Sequence, residues 1–146
     1  MEKKGYLFRV LQVFIVKHKV AADLQGTGKI VLELDDAMAP KTVRAFLDCL
    51  PLETRINVWG EELYTDCTAI RVGAENARAL VDLYDVAYWP QGSAVCLFFG
   101  PTPIGSPGEI RPYSPVNVFG RMMNAEKGFV KRVRDGATAR FELAAV

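Results

Sequence analysis

One histidine, His18, stands among 146 residues. A nucleophile–histidine–carboxylate triad and a histidine-rich metal centre therefore have little material to work with. Cysteine is scarce as well. Cys49, Cys67 and Cys96 form no CxxC pair, and their number is odd, which argues against a disulfide framework and for a reducing, cytoplasmic setting. Excess charge of either sign is missing, because 18 Lys and Arg face 17 Asp and Glu for a net charge of +1. No strong field then draws nucleic acid or anionic lipid to the surface. The basic residues Arg121, Lys127, Lys131, Arg132 and Arg134 read as a solvated helix face. Gly26-Thr27-Gly28 lacks the Gly-Lys-Ser/Thr continuation of a phosphate loop. No apolar run approaches the ~20 residues of a membrane span. Lys3, Lys4 and Arg9 precede a short apolar run in the manner of a signal peptide, but the run holds Gln12 and meets Lys17 without a small-residue cleavage site. The expectations are no cofactor, no metal, no nucleic acid and no membrane partner.

What is present is ordinary globular material. Half the residues are hydrophobic and 24% are charged. The length suits a single domain over residues 1–146 that buries roughly two-thirds of its unfolded surface. Residues 7–20 are rich in Val, Phe and Ile and read as a strand. A turn at Gln25-Gly26-Thr27-Gly28 joins it to the alternating run 29–34 as a hairpin. Asp35-Asp36 offers a helix cap, and Pro40 suits a first turn. Val43, Phe46, Leu47 and Leu50 then mark a helix stopped by Pro51, with Cys49 packing at its end. Period-two runs return at 54–59, 61–66, 68–72 and 81–89, and a strand buried on both faces is predicted over 94–99. Another strand follows at 116–123. Asn124 caps a second helix over 125–134, and 137–143 closes the chain as a strand. Many short strands with turn punctuation indicate a mainly β closed barrel or sandwich. About eight strands are expected, with two helices capping the ends.

Residues 88–120 are the richest stretch. Tyr88-Trp89-Pro90-Gln91-Gly92 leads into Cys96-Leu97-Phe98-Phe99-Gly100. A loop with five of the eight prolines follows, then Val116-Asn117-Val118-Phe119-Gly120. Aromatic residues beside a stiff loop suggest an apolar-floored cleft. Upstream, Arg55, Asn57 and Trp59 share one strand face, with Glu61 and Glu62 at the following corner. These form either a barrel cover with solvated glutamates, or an aromatic wall whose carboxylate accepts a ligand's donor. Tyr88 and Trp89 read as core. Phe98 and Phe99 alternate in direction, so at most one of them faces the cleft. Asn117, between apolar neighbours, also reads as a hydrogen-bonded structural residue.

These residues resemble the cyclophilins. Lys29-Ile30-Val31-Leu32-Glu33-Leu34 with Ala39-Pro40-Lys41-Thr42-Val43-Arg44-Ala45-Phe46 looks like their opening strand and first helix. Phe98-Phe99 and Val116-Asn117-Val118-Phe119-Gly120-Arg121 look like later segments. Asn57-Val58-Trp59-Gly60-Glu61-Glu62, Asp85-Val86-Ala87-Tyr88-Trp89-Pro90, the run 96–103 and the run 114–118 are more similar to small prokaryotic cyclophilin-like proteins, a group with the cyclophilin barrel and no settled activity. The resemblance implies a cyclophilin-like barrel, and for cyclophilins proper it implies cis/trans isomerisation before proline, whose barrier is ~18–20 kcal/mol. It also implies an arginine donating to the prolyl nitrogen and Phe99 as a pocket residue.

The family's Phe-His-Arg run is absent, since the region reads Arg55-Ile56-Asn57-Val58-Trp59. Leu97 and Val116 stand where the resemblance implies a polar residue and a histidine. Arg55 would supply a guanidinium only in a different strand register. The expected function is a binding module for a small molecule or proline-containing peptide, with Asn57, Trp59, Glu61, Glu62, Phe99, Val116 and Asn117 as the ligand-binding set. The alternative is a peptidyl-prolyl isomerase with an altered site. A third reading makes the Pro-rich loop 100–114 itself a partner's target.

Overall fold

The computed structural model describes residues 17–144. The chain runs β1 (Lys17–Leu24), β2 (Gly28–Asp35), α1 (Pro40–Asp48), β3 (Leu52–Trp59), β4 (Glu62–Thr65), β5 (Asp85–Trp89), β6 (Ala94–Phe98), β7 (Asn117–Met123), α2 (Lys127–Arg132) and β8 (Thr138–Leu143). The strands close into a barrel in the order β1-β2-β7-β5-β6-β4-β3-β8. Neighbouring strands are antiparallel throughout. Closure leaves no free sheet edge. The mainly β barrel with two helices is thus the architecture expected from the strand count. No helix among the described residues is long and apolar enough to cross a membrane.

Period-two alternation sorts the side chains. Val20, Ala22, Leu24, Leu32, Leu34, Leu63, Val95, Leu97, Phe119 and Phe141 fill the interior, with Phe46 of α1 and Phe129 of α2 packed against them. A second, smaller cluster lies on the outer face of β5, β6 and β7. It contains Val81, Ala87, Cys96, Phe98, Val116 and Val118. β6 is therefore buried on both faces, as its unbroken apolar run implies. Two long connections cover the outer cluster, stitched together by isolated bridges at Arg78–Val116 and Val81–Ile110.

Several expected boundaries move for physical reasons. β1 extends to Leu24 and pairs with β2 from Lys17–Asp35 to Leu24–Gly28; the earlier part of the expected strand lies outside the described residues. The run 68–72 is not a strand. The strands it would join, β4 and β6, already pair with each other. Side chains satisfy its backbone instead: Thr68 Oγ1 accepts from the Ile70 N–H at 3.1 Å, and the Tyr88 hydroxyl donates to Ile70 O at 2.9 Å. β5 begins only at Asp85, because Tyr84 has φ 70°. α2 starts at Lys127 after Glu126, and Asn124 adopts φ 56° rather than capping it.

Asp35 and Asp36 do not cap α1. Asp35 Oδ1 accepts from the Ala37 N–H at 2.9 Å, and Asp36 pairs with His18 at 3.0 Å. The cap arrives from a distant loop. Glu75 accepts from the Lys41 N–H at 3.0 Å, the Thr42 N–H at 2.9 Å and the Thr42 hydroxyl at 2.8 Å. Burial works to raise the Glu75 pKa, but these hydrogen bonds outweigh it and hold the carboxyl below its usual value. Because the folded pKa is depressed, the stabilisation is present above the unfolded pKa and is lost as pH falls through the folded one. Glu75→Ala is expected to cost about 1–2 kcal/mol at pH 7, and less in acid. Urea unfolding at the two pH values checks this.

Candidate functional site

A cavity of about 280 Å³ opens on the outer face of the barrel, lined by Trp59, Glu62, Tyr64, Trp89, Cys96, Pro112, Tyr113 and Val116. Strand parity supplies most of it. Glu62 and Tyr64 point outward from β4 while Leu63 enters the core. Cys96 lies across from Tyr64 on β6, and Trp59 lies across from Glu62 on β3. The Pro-rich loop contributes Pro112, Tyr113 and Val116 as the facing wall.

The loop is held at both ends. Gly60 has φ 61°, and a Cβ there would meet Pro103 Cδ at 2.8 Å and Pro101 O at 2.9 Å. Only glycine suits this turn, where the Glu61 N–H donates to Pro101 O at 2.9 Å. At the far end the Trp89 indole N–H donates to Ser114 Oγ at 2.6 Å, and Ser114 Oγ donates to Gln91 Oε1 at 2.9 Å. Gly92 has no side chain to collide with the Trp89 ring folded over it. The aromatic walls meet at steep angles: Trp59–Tyr113 at 68° and 6.3 Å, Tyr113–Trp89 at 75° and 5.8 Å, Trp89–Tyr64 at 83° and 6.5 Å. They stand as corners of a box. Tyr113 is 70% exposed and forms its outer side.

Glu62 sits at the floor and is only 5% exposed. Among the described residues, its Oε1 is the only buried side-chain oxygen or nitrogen without a hydrogen-bond partner. Burial pushes its carboxyl up to about 7, with a side-chain hydrogen bond from the Cys96 thiol acting the other way. Burial also raises Cys96 well above its usual value, reinforced by the Glu62 charge. Tyr64 is raised as well, by burial first and by Glu62 second. Among the described residues no three His, Cys, Asp or Glu side chains gather into a metal-holding group.

Of the residues singled out in the sequence, Trp59, Glu62 and Val116 come together here. The others lie elsewhere. Asn57 donates to Tyr64 O at 3.3 Å and Asp66 Oδ1 at 2.9 Å beside the cavity. Glu61 lies over Gly100. Arg55 is exposed on β3 opposite Thr138. Phe99 is inside the barrel, stacked on Phe129 at 5.9 Å; Phe98 is the outward member of the pair. Asn117 is fully buried, accepting from the Glu75 N–H and donating to Gly73 O and Thr42 Oγ1. Tyr88 is core, as read, but Trp89 is a cavity wall. Sequence reasoning missed Tyr64, Trp89, Cys96, Pro112 and Tyr113. Parity with Glu62 would have found Tyr64; no local signal marks Tyr113.

A family model described as cyclophilin-like matches residues 18–142. The solution structure of the hypothetical protein AF2241 from Archaeoglobus fulgidus is similar, with a TM-score of 0.74 and 42% identity over 88% of this chain and 96% of that one. No curated protein matches. The barrel order, the helix placement and these matches agree, and the chain belongs to the cyclophilin-like family.

Proposed function

We propose that the protein is a binding module whose cavity holds a small molecule that donates a hydrogen bond to Glu62. The carrying observation is the orphaned Oε1 at the floor of an aromatic-walled space. A buried carboxyl oxygen without a partner costs stability, and native proteins pair such atoms unless a site needs them free. Apolar walls with one convergent polar group are the usual composition of a small-molecule pocket. The volume, about 280 Å³, suits a compact ligand better than a peptide.

Peptidyl-prolyl isomerisation is the lesser reading. It needs a donor that bonds better to the twisted amide than to the planar one. Among the described residues no arginine lines the cavity, and Arg55 is exposed on β3.

Two experiments test the proposal. A fragment library screened by nuclear magnetic resonance is expected to give hits that shift the indole N–H signals of Trp59 and Trp89, the chain's two tryptophans. Val116→Phe, which fills the cavity from its facing wall, is expected to weaken those hits about tenfold or more while the protein stays folded. Fragments that leave both indoles unmoved would overturn the reading. A proline-peptide isomerisation assay is expected to show no acceleration at high protein concentration; acceleration lost in Arg55→Ala would favour the isomerase.

A further inference from the structure

We propose that the cavity takes an organic ammonium, a cationic N–H group on a compact apolar body, with the N–H groups directed at Glu62 Oε1 and the body held among Trp59, Trp89 and Tyr113. This rests on the small-molecule reading above and names the ligand's chemical class.

Three observations converge on a cation. The first is the acceptor. Glu62 is 5% exposed and its Oε1 is unpartnered. An ionised carboxylate accepts hydrogen bonds only, and charge-assisted N–H donors bind it most strongly. The second is what the walls omit. Among the described residues no Lys, Arg or His lines the cavity, so none of them neutralises Glu62 there, and an anionic ligand would face a buried like charge. The third is the walls themselves. Trp59, Tyr113, Trp89 and Tyr64 form a continuous series of rings meeting at 68–83°. Aromatic faces attract cations, tryptophan most of all, and more strongly where water is excluded. A neutral amide or alcohol could satisfy Oε1 but would draw nothing extra from the rings.

Among the described residues, the other titratable groups lining the cavity with Glu62 are Tyr64 on its own strand, Cys96 from β6 and Tyr113 from the loop. Tyr64 and Cys96 are both raised above their usual values and stay neutral near pH 7. Asp66 and Asp135 act on Tyr64, and Glu61 lies apart over Gly100. Glu62 is then the group whose ionisation prepares the cavity.

The test uses three probes of nearly equal shape: benzylamine as its ammonium ion, benzyl alcohol and benzoate. Binding is read from the Trp59 and Trp89 indole N–H signals. At pH 8 the ammonium is expected to bind about tenfold or more tightly than the alcohol, with benzoate the weakest. Its affinity is expected to rise from pH 6 to pH 8. In Glu62→Gln the pH dependence should vanish and the preference should shrink to what the rings alone supply, while benzyl alcohol still binds. Alcohol or benzoate binding as tightly as the ammonium overturns the cation assignment and leaves the small-molecule cavity standing. A preference undiminished in folded Glu62→Gln also overturns it. If no probe moves either indole up to its solubility limit, the cavity reading falls and this inference with it. The comparison of probes on the wild-type protein decides even if the variant folds poorly.

Discussion

Glu62→Gln is expected to make the protein more stable at pH 8, by about 2–3 kcal/mol, and to leave it nearly unchanged at pH 4.5. Burial raises the Glu62 pKa from 4.5 to about 7. The native state therefore holds the proton more tightly than the unfolded chain does. The sign follows from linkage: a raised folded pKa gives a carboxyl its full stability below the unfolded value, and that stability is lost as pH rises toward 7. Each pKa unit corresponds to about 1.36 kcal/mol, so the loss is of order 3 kcal/mol, reduced by any relaxation. Glutamine keeps the shape and never ionises. In a domain of this size the gain is a rise in melting temperature of roughly 6–10 °C. Subtracting the wild-type curve from the variant curve across pH 4–8 cancels the titrations of other groups, Glu75 included. A flat difference would mean that Glu62 is solvated after all. A stabilising substitution at a buried position is the expected signature of a residue kept for binding rather than for folding.

Asn117→Leu is expected to act in the opposite direction, with a loss of about 3–5 kcal/mol. Its side chain is fully buried. Oδ1 accepts from the Glu75 N–H at 2.8 Å, and Nδ2 donates to Gly73 O at 2.9 Å and Thr42 Oγ1 at 3.2 Å. Leucine fits the volume but leaves these groups unpaired, at about 1–3 kcal/mol each. The damage spreads, because Asn117 positions the loop from which Glu75 caps α1. Urea unfolding measures the loss. Since all the polar groups of Asn117 are committed to the scaffold, probe affinity in the still-folded fraction should change little. A loss below about 1 kcal/mol would mean that water takes over its bonds.

Both residues stand in the sequence as candidate ligand contacts, and the fold separates them. Alternation and turn glycines made the barrel strands legible, because a closed antiparallel sheet imposes one period on every segment. The run 68–72 misleads because Ile70 is buried without a strand-pairing partner, a fact set by the whole barrel rather than by the segment. The cap of α1 is illegible for the same reason, since Glu75 lies 33 residues from Thr42. At the cavity, Trp59 and Glu62 were readable from their shared corner. Phe99 looked like the pocket residue by family resemblance, but inward Leu97 fixes the parity of β6, sends Phe99 into the barrel and leaves Phe98 and Cys96 outward. Tyr113 joins only because Trp89, Ser114 and Gln91 tie the Pro-rich loop down across the cavity, a long-range arrangement that no local pattern encodes.

The most direct measurement is a pH titration of the Glu62 side-chain carboxyl by carbon-detected magnetic resonance, in the free protein and with benzylammonium. A midpoint near 7 in the free protein, falling when the ammonium is added, is expected of a dehydrated carboxyl waiting for a cationic donor. A midpoint near the ordinary 4.5, unmoved by the ammonium, would contradict both the empty acceptor at the cavity floor and the function built on it.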